Sequence, residues 1–297
     1  MQSKTLSGFT QSFVQVNGVK LSVHTAGTGK PLLLLHGYPQ THATWGKVAP
    51  VFAQKFQCII PDLRGYGESS IPVTDSEHSP YSKRTMAQDM IELMNHFGYK
   101  RFSVIGHDRG ARVSYRMALD HPEEIEKMAI IEVVPTAEMW GRFNAEMALK
   151  AYHWTFLAQP APLPENMIKA DPITYLEWTL KSWTQENSLN VFTPEALESY
   201  REQFRDPNHL HALCEDYRAG ATLDRQHDEE SRKNGDKIKA PLFFLWAHKG
   251  FPAKTGNPLG LWQSWAENVQ GHAIDCGHFA QEENPRAVTE HLIPFFE

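Results

Sequence analysis

The sequence predicts an α/β fold: a mostly parallel sheet with helices on both faces, interrupted by a helical insertion. Three observations carry this. Short runs such as "PLLLLHG", "QCIIPDLRG" and "FSVIGHD" are apolar on both faces, the pattern of parallel strands buried under helices. Helical patterns lie between them, at about 85 to 97 and over "ARVSYRMALDHPEEI". After about residue 137 the strand signal stops, and it returns only near residue 240.

The elements follow in order. "FVQVNG" and "KLSVHTAG" read as two strands joined by an Asn-Gly turn, an antiparallel hairpin. The three runs above and "MAIIEVV" supply the next four strands. Aromatics and prolines then crowd in, as in "AYHWTFLAQPAPLP", and the segments look helical. "RQHDEESRKNGDK" reads as a charged, exposed connection back to the sheet. "APLFFLWAH" and "HAIDCGHF" complete eight strand patterns, with a helix near 260 to 268 between them and a last helix over "ENPRAVTEHLIPFF". The expected division is a core of residues 1–137 and 239–297 and a helical cap of residues 138–238.

Composition narrows the function classes. With 297 residues, 41% of them hydrophobic and 22% charged, the chain can bury a sizeable core. A net charge of -6 argues against nucleic acid and anionic membranes, which need positive patches. The three cysteines, Cys58, Cys214 and Cys276, are odd in number and widely spaced, which fits free thiols in a reducing compartment. "LLLL" at 32 to 35 is the longest aliphatic run, far short of the roughly 20 residues of a membrane helix. The N-terminus has no signal-peptide core, so a cytoplasmic protein is expected.

The most informative stretch is Gly106-His107-Asp108-Arg109-Gly110, between a strand and a helix. Small-x-nucleophile-x-small in that context is the nucleophile elbow of α/β-hydrolases, with Asp108 where Ser is usual. An N-cap is the plainer account of Asp108, since Asp before a helix is common. "HGYPQ" ends another strand, and in this fold its loop offers a backbone N–H, that of Tyr38, to complete an oxyanion hole with the N–H of Arg109. His278 follows the last strand in "DCGHFAQEENP", matching the order nucleophile, acid, histidine. The acid belongs after the strand that follows the elbow helix or after the one following the insertion. "FLWAHKGFPAK" at the later position has no Asp or Glu, whereas "IIEVVPT" has Glu132. Glu132 is therefore the expected orienting acid; an edge carboxylate paired with a lysine is its bland alternative.

"GHDRGARVSYRMALDHP", "HGYPQTHATW", "PDLRGYGESS" and "GHFAQEENP" together resemble the fluoroacetate (haloacetate) dehalogenases of the α/β-hydrolase superfamily, nearly end to end. The arginine directly after Asp108 and the one four residues after it are the most specific part; related epoxide hydrolases typically have Trp after the Asp. The resemblance implies Asp108 as nucleophile, His278 as base, Arg109 and Arg112 as the grip on a substrate carboxylate, and His153, Trp154 and Tyr217 as the halide site. It implies a haloacetate substrate, no cofactor and no metal; a homodimer is the expected assembly. Two departures stand out: relatives usually have Asp at the position of Glu132, and Phe is common at that of Tyr38.

The chemistry agrees. An alkyl halide has no carbonyl, so a carboxylate can displace halide on carbon and form an aspartyl ester. His278 would then activate water against that ester. Planar guanidinium groups bind a carboxylate by paired hydrogen bonds, although both arginines could instead pair with acids of the protein. Fluoride leaves with dense charge that three donors could solvate, although aromatic residues in a cap can equally just pack. An epoxide hydrolase is the alternative enzyme. It would share Asp108, Glu132 and His278 but need tyrosines such as Tyr152 and Tyr217 to protonate the epoxide oxygen.

Overall fold

A computed structural model describes all 297 residues. The strands are β1 (Thr10–Val16), β2 (Val19–Ala26), β3 (Lys30–Leu35), β4 (Phe56–Pro61), β5 (Phe102–His107), β6 (Ile125–Ile131), β7 (Leu242–Ala247) and β8 (Val269–Ile274). They form one eight-stranded sheet in the order β1-β2-β4-β3-β5-β6-β7-β8. β1, β2 and β4 pair antiparallel, and every pair from β4 to β8 is parallel. The β1–β2 turn takes the expected form, with Asn17 and Gly18 both at positive φ, 41° and 76°.

The apolar runs are buried on two faces, as their continuity requires. Leu33 and Leu35 of β3 join the same hydrophobic cluster as Val104 and Ile130, while Leu32 and Leu34 join another with Ile105 and Ile131. This is the period of two that sends successive side chains to opposite faces. Eight helices lie between β6 and β7. Their Leu157, Leu176, Phe204 and Leu213 belong to the first of these clusters, so the insertion shares a core with one sheet face. No helix is long and apolar enough to cross a membrane.

Some local expectations need correction. Residues 225–237 are mostly exposed, as expected, but they are not a loop: most lie in the helix Leu223–Asn234, which Gly235 ends at φ 75°. Asp228 and Ser231 of that helix are buried. The helix expected near 260 to 268 spans Pro258–Gln263, and the last helix begins at Pro285, after a separate turn at Ala280–Glu283. β6 stops at Ile131, which leaves Glu132 beyond the strand end with φ 62°.

Sheet order reverses around β3, where β4 lies on one side and β5 on the other. Crevices at the carboxyl ends of strands near such a reversal are where open α/β sheets bind ligands. Asp108 directly follows β5, and the His36–Gln40 loop follows β3.

Candidate active site

Asp108 sits between β5 and the helix Arg109–Asp120 at φ 49°, ψ −118°. For a residue with a Cβ this is a strained conformation, held only because packing leaves no alternative. A Cβ on Gly110 would stand 2.3 Å from the His36 carbonyl oxygen, and one on Gly37 would stand 2.5 Å from Asp108 Oδ1. The two loops can approach this closely only through glycine. The Asp108 side chain makes no capping bond to its helix, so the plain N-cap account fails. Instead Oδ1 accepts the Tyr38 backbone N–H at 2.8 Å.

His278 stands between two carboxylates. Its Nε2 is 3.5 Å from Asp108 Oδ2, and its Nδ1 is 3.8 Å from Glu132 Oε2. At that separation Nε2 makes no hydrogen bond. Burial would lower the His278 pKa, but Asp108 and Glu132 outweigh it and push the value up to about 9. Burial would likewise raise Asp108, but His278 outweighs it and holds the carboxyl well below the usual range. For Glu132 burial wins, and its pKa is raised. Glu132 is buried and accepts the Ala247 backbone N–H; it pairs with no lysine. The longer Glu side chain thus lies beside the histidine ring, anchored to the end of β7.

The two arginines differ sharply. Arg109 is fully buried and committed: its Nε and Nη2 donate to Asp216 Oδ1 at 3.1 and 2.6 Å, and Nη2 also donates to the Asp216 carbonyl at 2.7 Å. Lys83 and the Tyr66 hydroxyl bind the same Asp216 carboxylate. Burial opposes the Arg109 charge, yet Asp216 outweighs it and raises the pKa. Only Nη1 is left without a partner. Arg112 has no acid partner. Its Nη1 donates to Val134 O at 2.9 Å and Thr136 Oγ1 at 3.2 Å, and its Nε is unpartnered. Burial lowers its pKa. An uncompensated buried cation is costly unless an anion arrives.

A cleft of about 900 Å³ opens over these groups, lined by Asp108, Arg112, Glu132, His153, Trp154 and His278 among others. Tyr38, Arg109 and Tyr217 are not among its lining residues and form a layer behind them. His153 is buried, neutral because burial lowers its pKa to about 3, and has no partner for Nδ1. Its ring lies 5.6 Å from that of Tyr217, and Trp154 lies 6.1 Å from Tyr217. The Tyr217 ring in turn packs 4.3 Å under the Arg109 guanidinium, and Trp154 lies 4.6 Å from that of Arg112. The structure therefore brings His153, Trp154 and Tyr217 into one aromatic group. Tyr152 lines the cleft, but its ring packs against His153 rather than Tyr217.

Two residues of the site were not foreseen. Asp216 immediately precedes Tyr217, but nothing in its spacing signals Arg109 as its partner. His107 precedes Asp108; its Nε2 bonds the His278 carbonyl at 2.7 Å, and its Nδ1 meets Gln281 Nε2 at 3.2 Å. Burial lowers the His107 pKa to about 3, so the ring is neutral, with Nε2–H donating to the carbonyl and Nδ1 accepting from the Gln281 amide. Elsewhere, His24, His42 and Asp62 offer metal-ligand atoms within 4.8 Å of one another. However, His42 already spends one nitrogen on Asp62 at 2.9 Å and the other on Thr5 at 2.6 Å. A metal taking either His42 nitrogen would have to displace one of these bonds.

The eight-stranded sheet, the elbow and the histidine after the last strand define an α/β-hydrolase. Residues 30–285 match the family model described as the alpha/beta hydrolase fold, and the chain belongs to that family. Among its relatives, a fluoroacetate dehalogenase of Burkholderia sp is 39% identical, over 94% of this chain and 90% of its own. A soluble epoxide hydrolase of Corynebacterium sp. (strain C12) is 35% identical, over 97% of each. A solved mutant protein from Pseudomonas aeruginosa, described provisionally as an epoxide hydrolase and with bound MFA, shares 44% identity. It superposes with a TM-score of 0.93, over 99% of this chain and 97% of that one.

Proposed function

We propose that this hydrolase is a dehalogenase of short 2-halo carboxylic acids, converting haloacetates to glycolate and halide without a cofactor. One observation carries the proposal: Arg112, a buried cation with no acid partner, lines the same cleft as the Asp108 carboxylate. The substrate carboxylate supplies the missing anion, with the spare Nη1 of Arg109 behind it. The α-carbon then lies over Asp108.

Tyr38 N–H occupies Oδ1, so Oδ2 is the attacking atom. Its electron pair forms the C–O bond as the C–halogen bond breaks, and halide leaves with that bonding pair. His153, Trp154 and Tyr217 are the donors proposed to receive it. Alkylation removes the Asp108 charge, which was one of the two anions holding His278 protonated. The His278 pKa falls, its proton passes to solvent, and the neutral ring is a base when the ester needs one. It takes a proton from water as the water oxygen attacks Cγ. Charge gathers on Oδ1 against the N–H groups of Tyr38 and Arg109. Collapse expels the product alkoxide, which takes the proton back from His278, and Asp108, left as the free acid, then gives its own proton to the ring. Glu132 orients the ring throughout. Residues 138–238 serve as the cap that closes the site over the substrate.

Chloroacetate added to the His278→Asn variant tests this. Ester formation survives and hydrolysis stalls, so intact mass shows a carboxymethyl adduct, which digestion places on Asp108. Rapid turnover without an adduct overturns the assignment.

An epoxide hydrolase is the second reading, favoured by the Tyr217 hydroxyl, which bonds to no protein group, and by the Corynebacterium relative. An epoxide ring carries no charge for Arg112 to meet. Hydrolysis of styrene oxide faster than halide release from chloroacetate would decide for it.

A further inference from the structure

The cleft is far larger than a haloacetate requires. Chloroacetate has five heavy atoms and fills on the order of 100 Å³, taking a few times the roughly 30 Å³ share of a water molecule. The cleft offers about 900 Å³, the scale of sites for much larger ligands. Beyond Trp183, which packs 4.5 Å from the His153 ring and 5.3 Å from that of His278, it continues to a mouth lined by Met147, Leu149, Trp178 and Phe251. Leu149 is 82% exposed and Trp178 66% exposed, two of the few large apolar side chains the protein leaves in water. Exposed apolar groups gathered at the rim of a cleft mark a surface meant to be covered.

The charges of the mouth pair in part, with one carboxylate shared between two lysines. Glu146 binds Lys150 at 3.2 Å and Lys254 at 2.7 Å, and Arg142 pairs with Glu138. Apart from Arg112 in the depth of the cleft, Lys249 alone among its lysines and arginines has no acid partner. The mouth thus offers apolar side chains beside a small excess of exposed lysines.

Building on the dehalogenase assignment, we propose that the preferred substrate is a 2-halo carboxylic acid carrying an apolar chain on its α-carbon. Its carboxylate meets Arg112, its α-carbon faces Asp108, and the halide leaves on the side opposite the attacking oxygen. The remaining substituent runs past Trp183 to Trp178 and Leu149. The chemistry is unchanged: Oδ2 displaces halide, and water releases the corresponding 2-hydroxy acid.

Halide release from chloroacetate, 2-chloropropanoate, 2-chlorohexanoate and 2-chloroadipate tests the proposal. The propanoate and hexanoate react at equally substituted carbons, so their ratio isolates the chain. The hexanoate should exceed the propanoate by roughly tenfold or more in kcat/KM, mostly through KM. Trp178→Ala and Leu149→Ala are surface changes, and each should lower kcat/KM several-fold more for the hexanoate than for chloroacetate. Parity of hexanoate and propanoate overturns the chain site while leaving the dehalogenase assignment intact. An adipate preferred over the hexanoate also overturns it, because Lys249 would then be reading charge. No halide from any of the four, chloroacetate included, removes the dehalogenase assignment and the chain site with it.

Discussion

The polar groups behind Asp108 and those in front of it obey opposite rules. Behind it, Arg109, Asp216, Lys83 and Tyr66 close on one another, and a single nitrogen is left over. In front, Arg112 Nε and His153 Nδ1 are buried without partners. The Tyr217 hydroxyl bonds to no protein group either. Folding normally satisfies buried polar groups, because each one left open costs about 1–3 kcal/mol. The saturated side is where the protein invests in holding its shape. The open side is where it has kept hydrogen bonds in reserve for something else. One helix carries both, with Arg109 and Arg112 less than a turn apart.

The contrast is broken most directly by removing each arginine. Arg112→Leu should cut kcat/KM for chloroacetate by about 10³-fold, roughly 4 kcal/mol for a paired charge-assisted contact. Its effect on folding should be the smaller of the two. Arg109→Leu should do the reverse in stability, costing about 3 kcal/mol by leaving Asp216 with one fewer counter-charge. Urea unfolding beside steady-state halide release separates the two. Equal losses in both assays would mean that Arg112 is also part of the scaffold.

A second test uses pH. His278 has its folded pKa raised from an ordinary 6.5 to about 9. Its contribution to stability is therefore complete below pH 6.5 and is lost as pH rises through 9, because the folded state binds the extra proton in that window. With its partial exposure the loss should be about 2 kcal/mol. Unfolding measured from pH 6 to 10 should show a steeper decline in the native protein than in His278→Asn, which keeps only the loss from the buried Glu282, itself pushed up to about 8. The same slope in both would place the titration elsewhere.

The smallest effect sharpens the open side. Tyr217→Phe deletes one unpaired hydroxyl and keeps the ring. It should slow fluoride release about tenfold more than chloride release, roughly 1.4 kcal/mol, since fluoride leaves with denser charge. Single-turnover measurement keeps product escape from masking the chemistry. An equal slowing of both halides would show that Tyr217 does not solvate fluoride.

How far the sequence could be read follows the same division. The strands were legible because burial on two faces leaves unbroken apolar runs, as Leu32 to Leu35 show. The elbow was legible because close backbone approach restricts Gly106 and Gly110 to one residue type. The helix Leu223–Asn234 was not, because it is held by polar burial. Asp228 accepts from Tyr115 at 2.9 Å and from the Ala137 backbone at 3.1 Å, and Ser231 accepts from Arg116 at 2.8 Å. A mostly exposed, charged helix anchored by a few buried polar residues carries no apolar period to detect. The asymmetry of the arginines was hidden for a related reason. The sequence puts Arg109 and Arg112 side by side but cannot say that Asp216, from a helix of the insertion, claims the first.

His107 joins the end of β5 to the carbonyl of His278, and the residue after it is Asp108 itself. Asp108 and His278 are therefore fastened to each other through the sheet, while the His278 backbone N–H is tied besides to the Trp183 carbonyl of the insertion at 2.9 Å. If the insertion loosens on warming, His278 loses the tie to Trp183 and keeps the one to His107. Discrimination between substrates would then fade at a lower temperature than bond-breaking does, and a poorly chosen substrate would gain ground before the enzyme lost its power to turn one over.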